Sequence, residues 1–147
     1  MTELATPPRP PRREFRNINA FTDLRTYRLP AAGIVSILHR VSGVLMFLLL
    51  PFVIWMFDTS VTDEVSFDQF RNAFVGGLGF VPAFVVKLAA LALIWGFLQH
   101  FCAGVRHLYM DFTHTVDKEF GRVSALVAIA VAVVLTLVFA YKLFIGY

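Results

Sequence analysis

The run VPAFVVKLAALALIWGFLQHFCAGVRHLYM, residues 81–110, decides the fold. Its only fixed charges are Lys87 and Arg106. About 20 apolar residues suffice to cross roughly 30 Å of hydrocarbon at 1.5 Å per residue. Backbone groups in lipid must find their hydrogen bonds within the segment, so the run reads as a helix. Pro82 suits its start, because a fixed φ and a missing N–H do no harm in a first turn. Outward from this run lie two more apolar stretches, residues 31–57 after Pro30 and residues 124–144. The expected fold is therefore all-α and membrane-embedded, with three transmembrane helices at about 31–57, 81–110 and 124–144.

Composition agrees. The chain has 147 residues, 58% hydrophobic and 16% charged, with a mean hydropathy of +0.70. A soluble domain is about 45–50% apolar, and one this small buries the smallest share of its surface, so water cannot be the solvent for most of it. The one cysteine, Cys102, excludes an internal disulfide, and no CxxCH motif is present for covalent haem attachment. The pI of 9.4 does not point to nucleic acid, because the basic residues sit beside apolar segments.

Those residues orient the chain. Arg9, Arg12, Arg13, Arg16, Arg25 and Arg28 precede the first helix, and Lys118 and Arg122 lie between the second and third. The first linker, 58–80, carries Asp58, Asp63, Glu64 and Asp68 against a single Arg71. Positive residues favour the cytoplasmic side, which puts the N-terminus inside. Residues 1–29 form an N-terminal cytoplasmic segment, proline-rich at first. From Phe15 to Tyr27 it mixes aromatic and charged residues, as expected of a short interfacial or partner-bound stretch. Residues 30–147 form one transmembrane domain. No apolar h-region lies within signal-peptide distance of the start.

Polar residues within the helices carry the chemistry. The first helix holds Ser36, His39, Arg40 and Ser42; the second holds Gln99, His100, Arg106 and His107. Ionisable groups at membrane depth are costly and generally face a partner, cavity or pathway. His39 lies about nine residues, roughly 13 Å, into the first helix from inside. His100 lies about six residues, roughly 9 Å, above Arg106 in the antiparallel second helix. The two clusters are thus expected to meet in the inner half of the bilayer. His100, with Gly104 one turn away, can ligate a b-type haem or simply bond between helices. Arg40, His39, Arg106 and His107 can neutralise haem propionates. Arg106 and His107 also read as interfacial anchors that snorkel. Lys87 reads as snorkelling outward, and His114 as a solvated loop residue.

The segments Ser36-Ile-Leu-His39-Arg40-Val-Ser-Gly43 and His100-Phe-Cys-Ala-Gly104-Val-Arg106-His107-Leu-Tyr-Met-Asp111 resemble the cytochrome b subunit of succinate dehydrogenase, the larger membrane anchor of respiratory complex II. The resemblance covers roughly residues 15–147. It implies that His100 is one axial ligand of a single b-type haem, whose second ligand comes from a companion anchor subunit. It also implies that Ser36 and Arg40 line a ubiquinone site, and that His39, Arg40, Arg106 and His107 lie near the haem propionates. The implied partners are a flavoprotein subunit, an iron–sulfur subunit and a second small anchor, in a bacterial inner membrane. Many relatives carry Ser-Pro-His before the first helix, where this chain reads Asn17-Ile-Asn-Ala-Phe-Thr-Asp-Leu-Arg-Thr-Tyr27. With no dinucleotide fingerprint and no cysteine cluster, no residue here is expected to oxidise succinate. Two other readings remain open: a self-contained b-type cytochrome ligated by His39 and His100, and a purely structural anchor.

Overall fold

A computed structural model describes residues 17, 19, 22, 23, 26–115 and 117–146. Most of the expected interfacial segment, Phe15 to Tyr27, lies outside the described residues. Among the described residues five helices follow in order: α1 (Ala31–Leu48), α2 (Leu50–Val61), α3 (Glu64–Val75), α4 (Ala83–Thr113) and α5 (Lys118–Ile145). Three of them, α1, α4 and α5, are long and apolar enough to cross a membrane, with 18, 31 and 28 residues. The chain is an all-α, multi-pass membrane protein.

The first apolar run breaks in two at Leu49. Pro51 lies in the first turn of α2; it offers no N–H to the Phe47 carbonyl, and its ring crowds that oxygen. The Leu49 N–H still bonds to Leu45 O at 3.0 Å, and Val53 N bonds to Leu49 O at 3.1 Å. Helical bonding therefore resumes at once, and α2 carries the chain on to Val61.

The expected linker contains a helix of its own, α3. Asp63 Oδ1 accepts from Ser66 N at 2.7 Å and Asp63 N donates to Ser66 Oγ at 3.0 Å, a reciprocal cap that satisfies two otherwise unpaired donors. Phe70 and Phe74 lie one turn apart, their rings meeting edge-on at 5.3 Å. Ala73 and Phe74 pack on Val86 and Ala90 of α4, with Phe52, Trp55 and Met56 of α2 around them. The chain then reverses at Gly77 (φ 95°), where a Cβ would collide with the Val81 carbonyl oxygen.

Helix α4 is the centre of the bundle, touching both α1 and α5. Its buried residues include Ala90, Gly96, Gln99, Ala103 and Arg106, and those of α5 are Gly121, Ala125, Ala128 and Ala132. Small residues let helix backbones approach closely where lipid supplies no hydrophobic drive for association. Large apolar residues such as Phe47, Phe97 and Leu137 face outward. Helix α5 starts six residues before the predicted Ser124, because Asp117 caps it by accepting from Phe120 N at 2.8 Å. His114 ends α4 in the left-handed region (φ 52°) and is exposed. The start of α1, the end of α4 and the start of α5 share one end of the bundle.

Candidate functional site

Helices α1 and α4 cross where their polar residues lie. His39, Ser42 and Gly43 occupy one face of α1, at spacings of three and four residues. His100 and His107 occupy one face of α4, seven residues apart. The imidazoles of His39 and His100 stack with centroids 4.0 Å apart and planes 25° apart. His107 tilts against His39 at 5.4 Å and 50°. Three histidines from two antiparallel helices thus form one cluster.

Hydrogen bonding fixes the His100 ring. Its Nδ1 lies 3.0 Å from the His39 carbonyl oxygen. A carbonyl only accepts, so Nδ1 is the donor, and in the neutral imidazole the lone pair is then on Nε2. Ser42, fully buried, donates its own hydroxyl to the same carbonyl at 2.9 Å and lies 3.4 Å from His100 Nδ1. Gly43 makes room: a Cβ there would sit 3.2 Å from His100 Cε1 and 3.4 Å from Nδ1. Replacing Gly43 with valine is accordingly expected to push the ring away from the His39 carbonyl. The overpacking should cost about 1–3 kcal/mol, read as an earlier thermal transition of the detergent-solubilised protein. An unshifted transition would refute this account of Gly43.

Ser36 and Arg40 lie one turn apart on α1. The guanidinium Nη2 donates to Ser36 Oγ at 3.2 Å, and Arg40 is exposed. With its oxygen accepting from arginine, the Ser36 hydroxyl remains free to donate elsewhere. Arg106 behaves differently. It is only 8% exposed, and its Nε donates to Ser124 Oγ at 2.9 Å and its Nη2 to the Gly121 carbonyl at 3.2 Å. Its guanidinium ties α4 to α5, while its neighbour His107 joins the histidine cluster. Gln99 is 1% exposed, and its Nε2 has no partner among the described residues.

Sequence reasoning placed Ser42 among the polar residues of the first helix without giving it a role, and it overlooked Gly43 as part of the site. The signal was available in their spacing from His39, which puts both on the face that meets α4. Among the described residues there is no group of three or more His, Cys, Asp or Glu side chains placed to hold a metal ion.

Fold and site together define a multi-pass membrane protein with a histidine-lined seam between two of its spans. The chain belongs to the succinate dehydrogenase/fumarate reductase transmembrane subunit family, whose model matches residues 12–139. It is 31% identical over 103 residues to the succinate dehydrogenase cytochrome b556 subunit of Coxiella burnetii, covering 70% of this chain and 78% of that one. The subunit of the same name from Paracoccus denitrificans is 30% identical over 112 residues, 76% of this chain and 81% of its own. That of Rickettsia felis is 25% identical over 114 residues, 78% and 83% respectively.

Proposed function

We propose that this chain is the cytochrome b anchor of a bacterial inner-membrane succinate:ubiquinone oxidoreductase. In this reading its N-terminus is inside, it holds one b-type haem together with a second small anchor, and it forms part of the ubiquinone site. Residues 30–147 make up the haem- and quinone-binding domain. The flavoprotein and iron–sulfur subunits of the complex oxidise succinate and deliver electrons. The observation that carries the reading is the His100 Nδ1–His39 carbonyl bond of 3.0 Å. Histidines that ligate metals ordinarily donate their other ring nitrogen to such an acceptor, which fixes tautomer and ring orientation. The cytochrome b556 names of the relatives point the same way.

In this assignment His100 would hold the haem iron, and His39, His107 and Arg40 would balance the charge of its propionates. Bound there, the haem supplies a one-electron redox centre within the membrane. Ser36 donates its hydroxyl to a quinone carbonyl. Arg40, permanently charged, stabilises negative charge that develops on the quinone oxygen as electrons arrive. The reading in which His39 and His100 both ligate one haem is disfavoured by the 4.0 Å face-to-face stack. A haem held by both residues would need the two rings apart, and their stacking leaves no room for it between them.

The test is purification in mild detergent through a tag on this chain, followed by a subunit census and a reduced-minus-oxidised spectrum. A b-type haem and three co-purifying subunits are expected. An assembly holding neither haem nor quinone would favour the purely structural anchor instead.

A further inference from the structure

Arg106 is the one charged side chain among the described residues that is buried. Its two hydrogen bonds go to neutral groups, Ser124 Oγ and the Gly121 carbonyl, and among the described residues no carboxylate pairs with it. A buried charge without a counter-charge is costly, and the five N–H donors of a guanidinium exceed the two bonds made here. The same side chain lines an open cavity of about 750 Å³ where α1 and α5 begin and α4 ends. Lys118 and Arg122 line it too, and neither makes an ion pair or hydrogen bond among the described residues. Among the described residues the only carboxylate on its walls is Asp117, whose Oδ1 accepts from Phe120 N at 2.8 Å. Three cations therefore face one carboxylate, while Ile34 and Leu126 make the walls apolar.

Positive charge at the rim with apolar walls behind it fits an amphiphilic anion. A small soluble anion gains nothing from Ile34 or Leu126. Ubiquinone carries no charge, and Ser36 lies about 160° around α1 from Ile34. We propose that this cavity binds an anionic phospholipid, its phosphodiester held by Arg106, Lys118 and Arg122 and its acyl chain against Ile34 and Leu126. Basic pockets between transmembrane helices recognise such head groups through the same combination of charge and apolar contact. The lipid would neutralise the buried guanidinium that joins α4 to α5. This inference does not rest on the haem assignment.

The test is native mass spectrometry of the intact complex in neutral detergent, titrated with dioleoylphosphatidylglycerol or dioleoylphosphatidylcholine. One phosphatidylglycerol is expected to stay bound more tightly than the rest, and excess inorganic phosphate should not displace it. The Lys118→Gln/Arg122→Gln double variant should weaken it about 30-fold, and Arg122→Gln alone about fivefold. The single variant decides the matter if the double one fails to assemble. Both variants should keep the haem spectrum of the parent, which separates this site from the histidine cluster. Equal binding of the two lipids would overturn the proposal, as would phosphatidylglycerol binding that survives loss of both cations. Phosphatidylglycerol that binds only after removal of residues 1–16 would also overturn it, giving the cavity to the chain's own N-terminal segment.

Discussion

Replacing His100 with alanine is expected to abolish the b-type haem signal of the purified complex. The side chain provides the one nitrogen of the cluster that is both held in orientation by a backbone acceptor and left with a free lone pair. Losing the bond to the His39 carbonyl costs only about 1 kcal/mol, and truncating a partly buried ring a few more. The helices should therefore stay assembled while the ligand is gone. Imidazole supplied in the medium should restore part of the signal by occupying the vacated space, which a general unfolding would not permit. The measurement is the reduced-minus-oxidised spectrum, normalised to the flavin content of the same preparation. An undiminished haem signal would falsify the assignment of His100.

The second large effect is expected at Arg40. Arg40→Leu should lower succinate:ubiquinone reductase turnover about 100-fold, the scale set by removing one preorganised donor from a developing oxyanion. Arg40→Lys keeps the charge but not the fork that reaches Ser36 Oγ at 3.2 Å, and should recover part of the rate. Ser36→Ala should raise the apparent KM for quinone more than it lowers kcat, because a hydroxyl on a carbonyl helps hold the ground state as well. Succinate oxidation with an artificial dye acceptor should be unchanged in all three, since the proposed function assigns it to partner subunits. Quinone reduction at the parent rate in Arg40→Leu would remove Arg40 from the site.

The spans α4 and α5 were legible because apolar runs of that length allow little but a membrane helix. The break at Leu49 was not, since Pro51 sits in a run whose hydropathy never falters. Helix α3 hid inside a segment read as an acidic linker. Its marks were present: Asp63 three residues before Ser66, then Phe67, Phe70 and Phe74 at helical spacing. In the site, the meeting of the His39 and His100 neighbourhoods followed from depth and direction alone. The bearing of Arg106 did not. Arg106 and His107 are neighbours in sequence but about 100° apart around α4. His107 therefore shares the α1 face with His100, and Arg106 turns to α5, where Ser124 and Gly121 take its hydrogen bonds. Grouping Arg106 and His107 as one functional pair treated adjacency along the chain as adjacency in space.

The acceptor that orients His100 is a main-chain oxygen, and this shapes what genetics can see. Exchanging the side chain at position 39 leaves that carbonyl in place, so the orienting bond survives the very substitution designed to probe it. Tolerance at position 39 would then be misread as irrelevance of the whole contact. Alleles that do disturb it should instead map to Ser42 and Gly43, where a lost hydroxyl or an added carbon reaches the ring directly.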